Sequence, residues 1–520
     1  MIHPPRVGPA QLAARRVPTS TLKVRAQKVP GRIAAALGLL AVFALPACSL
    51  GPRYHRPDIA PPEAWRADTI STEPEGGAMQ AAAESKTGAV TGWPSADWWQ
   101  GFGSEQLNEL MSQAQRANDD IAAAVARVRQ AEAQQTIAGG ALFPALSASA
   151  GATRTQQKPS ALTPRSPTVT FNQFNVQGNA SYELDFWGKN RALFNAARLA
   201  ANASRFDRVT VELTVMSSVA TTYFQVLELH DRLDVAERDL ATAQTLLKDL
   251  SLEATVGIAT ALDVAQQATT VANVNATIPP LRQQLRQSLD SLAVLIGKMP
   301  QDLDTPAGTL NDLSEPQVGP GLPSELLVRR PDVAEAEAQL MSANANIQAA
   351  RAAFLPSIDL AAAGGFVSTA LAGLLTPANQ VFSLSSSVTQ SIFRGGALVG
   401  GYRLQQARYA ELLADYHKSV LSAFSNVQDA LDASQQTAEQ YRREQDAVAK
   451  ARRAYEMTEI QMRAGIVNVL TVLNTQTALF GAEDALVQAR FAHLQALVQL
   501  FNALGGGWQQ GATPVDRSSS

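Results

Sequence analysis

Cysteine and histidine are scarce in this sequence, which holds one cysteine and five histidines among 520 residues. A lone cysteine excludes both a disulfide framework and a cluster of metal-binding thiolates. The histidines stand far apart, and the chain shows no glycine-rich phosphate loop, no nucleophile elbow and no spacing of metal ligands. We therefore predict a protein that is not an enzyme and that uses no metal or other bound cofactor.

Long apolar runs are also missing after Cys48, where no stretch of 18 or more apolar residues occurs. A helix that spans a membrane needs about 20 such residues. If the chain crosses a membrane, we expect it to do so as strands closed into a barrel, because unpaired backbone groups are not tolerated in hydrocarbon.

The start of the chain, by contrast, has the pattern of a secretory signal. The first 47 residues hold seven basic residues and no acidic one, and they end in an apolar run over 33–47. The segment Leu45-Pro46-Ala47-Cys48 resembles the lipobox at which bacterial lipoproteins are cleaved and acylated. We predict a signal peptide over 1–47, a covalent lipid on Cys48 and, from Ser49, release to the outer membrane. The alternative is that Cys48 is an ordinary buried core residue.

The charge balance argues against one class of partner. Without the predicted signal, the chain keeps 36 basic residues against 46 acidic ones. Proteins that bind nucleic acid carry a positive excess to neutralise phosphates. We therefore predict that nucleic acid is not a partner.

The sequence contains two similar halves, which begin near Asn118 and Arg330. A predicted helix over 121–141 ends at Phe143-Pro144, and another over 333–353 ends at Leu355-Pro356. Later, Gly257 and Gly465 are followed at the same interval by a second glycine, Gly297 and Gly505 respectively. This internal repetition predicts a duplicated structural unit.

After each of these prolines the pattern alternates with a period of two, which is typical of a strand with one apolar and one polar face. We predict strands at about 145–157, 171–186, 357–368 and 379–392. In the second strand the apolar side holds Phe174, Val176, Ala180, Tyr182, Leu184 and Phe186. The opposite side includes Glu183 and Asp185, and Asp359 has the same place in the third strand, so we expect these three acids to face a water-filled lumen.

Four strands are too few to close a barrel, which needs at least eight. Two copies of the chain would give a narrow barrel filled with side chains, whereas three would give twelve strands and room for a water-filled lumen. We therefore predict a homotrimer with a twelve-stranded β-barrel. The alternative is that the four strands form one face of an ordinary soluble sheet.

Very long helices argue against that alternative. Segments of about 60 residues follow each strand pair, and at 1.5 Å per residue each is nearly 100 Å long. Apolar residues recur along both at alternating intervals of three and four, the pattern of a coiled coil. We predict long helices over 188–251 and 396–463, and return helices over 260–297 and 468–505. Pro279-Pro280 is expected to kink or break the first return helix.

These features resemble the outer membrane factor family, the TolC-like ducts of efflux and type I secretion, and specifically its lipoprotein branch. The resemblance runs from about Cys48 to Gly505. It is carried by Gly51-Pro52-Arg53-Tyr54-His55-Arg56-Pro57, Tyr182-Glu183-Leu184-Asp185-Phe186-Trp187-Gly188, Leu327-Val328-Arg329-Arg330-Pro331-Asp332-Val333 and Ala349-Ala350-Arg351-Ala352-Ala353-Phe354-Leu355-Pro356.

The resemblance implies an α+β membrane protein: a trimeric barrel continued by an antiparallel coiled-coil tunnel through the periplasm. It divides the chain into a tether over 48–103, structural repeats over 104–310 and 311–505, and a disordered tail over 506–520. It also implies partners, namely outer-membrane lipid, a periplasmic adaptor that docks at the turns of Gly257 and Gly465, and an inner-membrane transporter of the proton-driven RND class.

In the best-known ducts of this family, an aspartate on the first return helix binds a tyrosine and an arginine and holds the tip closed. The resemblance places Asp263 at that aspartate, but Met462 and Val467 stand where the two partners would be. Thr471 and Asn474 stand where those ducts have an acidic ring. We therefore expect a different closure, through Arg463 or apolar contacts, and the alternative for Asp263 is a solvated surface acid.

The function that these observations predict is passive conduction of drugs or other small molecules from an inner-membrane transporter and adaptor to the outside. Two alternatives remain at this point. One is a duct for type I protein secretion, which the lipobox and the segment around Arg330 disfavour. The other is a lipid-anchored coiled-coil scaffold, which does not explain the paired strands.

Overall fold

A computed structural model describes residues 54–62, 65, 93–158, 167–319 and 323–508. The predicted signal peptide and Cys48 lie outside the described residues, as do Gly51, Pro52, Arg53 and residues 509–520 of the predicted tail.

Eight helices and four strands follow one another along the described chain, in two rounds of the same order. The first round comprises α1 (Glu105–Ala117), α2 (Asp119–Gly140), β1 (Ala145–Gln157), β2 (Val169–Glu183), α3 (Lys189–Thr255) and α4 (Ala261–Leu295). The second comprises α5 (Pro323–Arg329), α6 (Pro331–Ala352), β3 (Ser357–Ser368), β4 (Gln380–Thr389), α7 (Ala397–Arg463) and α8 (Val469–Ala503).

Three of the four pairs of corresponding helices have equal lengths. Helices α2 and α6 have 22 residues each, α3 and α7 have 67 each, and α4 and α8 have 35 each. Both long helices begin after a glycine with positive φ, Gly188 and Gly396. The duplicated unit predicted from the sequence is therefore confirmed.

The four strands form one antiparallel sheet in the order β1-β2-β3-β4. Its register places one apolar row across all four strands, in which Leu146, Ala180, Ala362 and Leu384 are successive partners. Directly opposite residues point to the same face of a sheet. The apolar positions that the period-two pattern singled out in each strand therefore share one face.

The second strand is shorter than predicted, because it ends at Glu183 and not at residue 186. Asp185 is consequently not a strand residue. Its carboxylate accepts hydrogen bonds from the backbone N–H groups of Asn190 (3.0 Å) and Arg191 (2.8 Å) at the start of α3. The negative charge stabilises the unpaired N–H groups of the helix end, so Asp185 caps α3 and does not continue the polar face of β2 as predicted.

A kink or a break was predicted at Pro279 and Pro280, but the first return helix is continuous through the pair, so a break there is wrong. The proline pair removes two N–H donors from the helix. The residues on either side of it, Ile278 and Leu281, are 5% and 7% exposed and pack with Leu229 and Leu233 of α3. This packing holds the helical path across the pair. Among the described residues, none of the helices is long and apolar enough to cross a membrane.

An apolar cluster packs the two halves of the chain against each other. Trp98, Trp99 and Phe102 lie in a short 3₁₀ helix and are 4%, 7% and 0% exposed. The ring of Trp98 stacks on Phe501 of α8 at 5.0 Å, and Phe102 contacts Phe224 of α3 at 5.0 Å. This aromatic cluster packs the C-terminal end of the return helix α8 against the long helix α3.

Ordered structure continues past residue 505, where the tail was predicted to begin. Gly506 and Gly507 have positive φ, and the ring of Trp508 contacts Phe206 of α3 at 5.7 Å. A Cβ on Gly507 would lie 2.2 Å from the carbonyl carbon of Ser95, so only glycine fits this close approach. The first three residues of the predicted tail, 506–508, are therefore part of the folded structure.

Candidate functional site

The site is built at the ends of two helical hairpins. The first hairpin is formed by α3 and α4, which meet at Gly257, and the second by α7 and α8, which meet at Gly465. Both glycines have positive φ, 79° and 72°. The N–H of Ile258 donates to Glu253 O and that of Ile466 to Gln461 O, each at 2.9 Å, so both turns close the last carbonyls of a long helix.

The apolar residues around both turns are exposed; we name residues 252–262 the first tip and residues 460–470 the second tip. Three equivalent positions of the two repeats carry a large aliphatic side chain. They are Leu252 and Ile460 (59% and 69% exposed), Ile258 and Ile466 (75% and 71%), and Leu262 and Leu470 (65% and 48%). Exposed aliphatic groups repeated at matching positions are typical of an interaction surface.

Asp263, the predicted gating aspartate, has a local partner. Its carboxylate accepts hydrogen bonds from the hydroxyl (2.7 Å) and the backbone N–H (2.9 Å) of Thr260, and its own N–H donates to that hydroxyl. These bonds hold the pKa of Asp263 below its usual range. In the second hairpin, Asn468 and Thr471 form the matching cap, with Asn468 accepting from the N–H of Thr471 at 3.1 Å.

The other residues predicted around the gate lie apart from Asp263. Arg463 forms an ion pair with Glu459 one turn earlier on α7 at 2.5 Å, and its side chain is 71% exposed. Met462 packs against an apolar cluster that joins α3 to α8 and consists of Leu246, Leu250, Val472 and Leu473. Val467 is half-buried, whereas Asn474 is exposed. Apolar groups therefore form the contact between the hairpins beside the tips, whereas Arg463 pairs on its own helix.

Two fully buried glutamines lie between the two return helices. Gln267 of α4 and Gln476 of α8 are both 0% exposed. The amide of Gln267 donates to the carbonyl of Ala243 on α3 at 2.7 Å and to Gln476 Oε1 at 3.4 Å. These hydrogen bonds join three helices of the two hairpins close to the tips.

Farther from the tips, α3 and α8 share a cluster of charged groups. Arg232 of α3 binds Asp484 of α8 through two nitrogens, at 2.7 Å and 3.3 Å, and Glu228 at 3.1 Å. Asp239 lies nearer the tip on α3 and is 7% exposed. Its carboxyl lies within hydrogen-bonding distance of Glu483. Burial, followed by the nearby carboxyl of Glu483, raises the pKa of Asp239 to about 7.

This charged cluster was not predicted from the sequence. Asp239 occupies a position of the apolar stripe on α3 that otherwise holds Ala236, Ala243, Leu246 and Leu250, all buried. The acidic residue within this apolar stripe is the sequence signal from which a buried carboxyl could have been predicted. Its partner Glu483 is 244 positions away in the sequence, so nothing local identified the pair.

Two of the acids predicted to line the lumen are neighbours on the sheet. Glu183 of β2 and Asp359 of β3 are register partners, so both side chains lie on the face opposite the apolar row. Glu183 forms an ion pair with Lys189 at 2.5 Å, and Asp359 accepts a hydrogen bond from Ser357 at 3.2 Å. Within the described residues, no three His, Cys, Asp or Glu side chains are grouped so that they could hold a metal ion.

The N-terminal segment lies on the second half of the chain. Arg56 forms an ion pair with Glu337 of α6 at 3.1 Å and donates to the hydroxyl of Tyr416 on α7 at 3.2 Å. The hydroxyl of Tyr54 donates to the same carboxylate at 3.3 Å. The first described residues therefore cross the α6–α7 pair through polar contacts.

Comparison with known proteins assigns this architecture. The family described as "Outer membrane efflux protein" matches residues 110–298 and 322–506, so the chain belongs to that family. The pyoverdine export outer membrane protein OpmQ of Pseudomonas aeruginosa is 40% identical over 416 residues, which are 79% of this chain and 87% of that protein. OpmQ of Pseudomonas putida is 38% identical over 455 residues, 87% of this chain and 93% of that protein.

A solved structure has the same fold. The outer-membrane channel OprN superimposes with a TM-score of 0.80 at 24% identity, over 89% of this chain and 100% of that one. The chain is thus an outer-membrane channel of an efflux system, and its family consists of transport channels that form homotrimers. The efflux function, the outer-membrane location and the fold class predicted from the sequence are confirmed.

Proposed function

We propose that three copies of the chain form a passive duct that receives small molecules from an inner-membrane transporter through a periplasmic adaptor. The observation that carries this proposal is the repeated apolar surface at the two tips. Three large aliphatic side chains per tip are exposed at the end of helices about 100 Å long, 67 residues at 1.5 Å each. Such a surface at the far end of the molecule fits a partner protein.

The adaptor docks on the two tips with an apolar surface of its own. Full burial of one Ile side chain contributes about 1.5–3 kcal/mol. Ile258 and Ile466 are 75% and 71% exposed and adjoin the two turn glycines, so they offer the largest gain on burial. Glycine at the turns leaves the backbone accessible, because nothing lies within 4 Å of the Cβ position of either residue.

The duct itself supplies no energy and catalyses no reaction. Its described hydrogen bonds and ion pairs at the tips are local caps and contacts between helices, such as Thr260 with Asp263 and Arg463 with Glu459. Energy therefore comes from the inner-membrane partner, for which we propose a proton-driven transporter of the RND class. Glu183 and Asp359 lie on the sheet face opposite the apolar row. In the proposed barrel of three copies, with twelve strands, this face lines the water-filled lumen.

A lipid on Cys48 anchors each copy in the outer membrane. Tyr54, six positions after Cys48, is held on α6 by its hydrogen bond to Glu337. Six residues span at most about 20 Å. The contacts of Tyr54 and Arg56 hold this part of the chain on the helices α6 and α7.

The first cargo to test is a siderophore. Both relatives with about 40% identity are pyoverdine export proteins, and they align over most of the chain. Drugs and solvents are the alternative cargo.

The test is export in a strain that lacks its own duct and holds the adaptor and transporter of the same genome. We expect the wild-type chain to restore export and the double variant Ile258→Glu, Ile466→Glu to lose it while keeping the trimer. The control is Met299→Gln, an equally exposed apolar residue (69%) at the other end of the first hairpin. Full export by the double variant would remove the tips as the docking surface.

A further inference from the structure

Contacts of three kinds join the two hairpins along the halves that end at the tips. Nearest the tips is the apolar cluster of Leu250 and Val472. Gln267 and Gln476 follow, and farther up lies the carboxyl pair of Asp239 and Glu483. From Asp239 to the end of α3 at Thr255, 1.5 Å per residue gives about 24 Å. All three contacts must loosen if the second hairpin is to move away from the first.

The carboxyl pair differs from the other two contacts because it holds only while a proton is present. Two carboxyl groups at hydrogen-bonding distance attract each other when they share a proton and repel each other when both are ionised. Asp239 is 7% exposed, so its ionised form has little water around it. Separation of the hairpins would restore that water and remove the repulsion.

The surrounding charges do not neutralise Asp239. On α8, Asp484 is engaged by Arg232, and on α7 the guanidinium of Arg452 binds Glu483 at 2.5 Å. On α3 itself, Arg238 is exposed and its Nε donates to the carbonyl of Asp234. Its charge lowers the pKa of Asp239, but burial and the carboxyl of Glu483 raise that pKa by more.

Helix α4 offers Asp239 no cation either. It carries no charged residue between Asp263 and Arg282, and Arg282 pairs with Glu237 at 2.8 Å. Among the described residues, the guanidinium that binds the carboxyl pair is that of Arg452, and it binds Glu483. Asp239 therefore keeps a proton while it is buried beside Glu483.

We propose that Asp239 and Glu483 form a proton-dependent link that holds the two hairpins together in acid and releases them as the medium becomes neutral to alkaline. The sign follows from the buried pair: Asp239 has a pKa of about 7 when the hairpins touch and about 3.9 when it is solvated. The joined state is favoured at low pH. It loses that advantage as the pH rises from about 4 through about 7, and the loss is complete above that value.

This regulation rests on the proposed duct function, but its test does not need export. Amide hydrogen exchange of the wild-type trimer is compared with that of Asp239→Asn at the same pD, over residues 240–255 and 469–482. Because asparagine has no charge to lose, we expect the ratio of wild-type to variant exchange rates to rise by about tenfold or more between pD 5 and pD 8. The matched control is Asp249→Asn, an exposed acid on the same helix, for which the ratio stays constant.

A ratio for Asp239→Asn that does not change with pD overturns the proposal, because a purely structural role shifts the rates equally at every pD. If Asp239→Asn does not assemble, Glu483→Gln removes the other carboxyl of the pair and is judged by the same ratio. Single-channel recordings in a planar bilayer, made over the same pH range, separate the two hypotheses. A ratio of exchange rates that changes with pH in the absence of any current supports the link and contradicts the duct. Current without a change in that ratio supports the duct and contradicts the link.

Discussion

The guanidinium of Arg330 donates a hydrogen bond of 2.9 Å to the backbone carbonyl of Ala503, which lies in the last turn of α8. The same side chain binds both oxygens of Asp332 in the first turn of α6, at 2.9 Å and 2.6 Å. Arg330 thus ties the beginning of one helix to the end of another. The first repeat has the same arrangement, in which Asn118 donates to the carbonyl of Leu295 at 2.9 Å and caps α2.

Replacement of Arg330 by alanine should destabilise the protein strongly. The residue is 9% exposed, and its loss leaves Asp332 without its cation and the carbonyl of Ala503 without this donor. Breaking a fully buried ion pair from one side costs about 3–5 kcal/mol, and the 33% exposure of the Asp332 side chain places the expected loss at the lower end of that range. Asn118→Ala, the matched variant, removes a neutral cap and should cost about 1–2 kcal/mol. Thermal unfolding of both purified proteins measures the difference, and equal losses would contradict the ionic contribution.

Two turn glycines of the first hairpin should respond very differently to alanine. Gly297 has positive φ, and a Cβ there would lie 2.3 Å from the carbonyl oxygen of Ala117, so Gly297→Ala forces the backbones apart. Gly257 also has positive φ but has open space around it, so alanine costs only the conformational strain of about 1–2 kcal/mol. We expect little or no trimer from the first variant and a normal yield from the second, measured by size-exclusion chromatography.

Asp263 should act as a helix cap. Its pKa is lowered by the hydrogen bonds from Thr260, so the cap is complete above the usual aspartate range and is lost only as the pH falls through the lowered pKa. Asp263→Asn keeps an oxygen acceptor, and we expect its single-channel conductance to equal that of the wild type. Asp263→Ala should raise amide exchange at the first tip severalfold. A large increase in open probability for Asp263→Asn would instead support the gating role that the family resemblance implied.

Lipidation of Cys48 has a direct chemical readout. We expect mass spectrometry of the membrane-bound protein to show a chain that begins at Cys48 and carries acyl groups. Cys48→Ser should lack them and should remain correctly folded, because the tether contacts of Arg56 with Glu337 and Tyr416 do not involve the lipid. An unmodified Cys48 in the wild-type protein would contradict the prediction.

The fold could be predicted from the sequence because its main signals are local and are repeated. Gly257 and Gly465 end long periodic segments, and the period-two alternation through Val176 and Tyr182 identifies the faces of β2 without knowledge of its partners. The register then follows, since a slip of one residue would place Leu146 on the polar face. Repetition at a constant interval made each weak signal count twice.

The remaining features depend on contacts that no local pattern reveals. Asp185 continues the alternation of the strand, yet the N–H groups at the start of α3 attract its carboxylate more strongly than the strand retains it. Pro279 and Pro280 predict a break, but packing of the flanking Ile278 and Leu281 on α3 overrides the local preference. Asp239 acquires its properties from burial beside Glu483, on a helix more than 200 positions later.

The equal lengths of the two return helices have a consequence for symmetry. Helices α4 and α8 have 35 residues each, so both turns of a chain lie about 50 Å from the C-terminal ends of these helices, which Asn118 and Arg330 bind. A ring of three chains therefore presents six turns at one level, with Ile258 and Ile466 alternating around it. A threefold molecule thus has a nearly sixfold circumference at this level, on which only alternate junctions, those within a chain, hold the pair of Asp239 and Glu483.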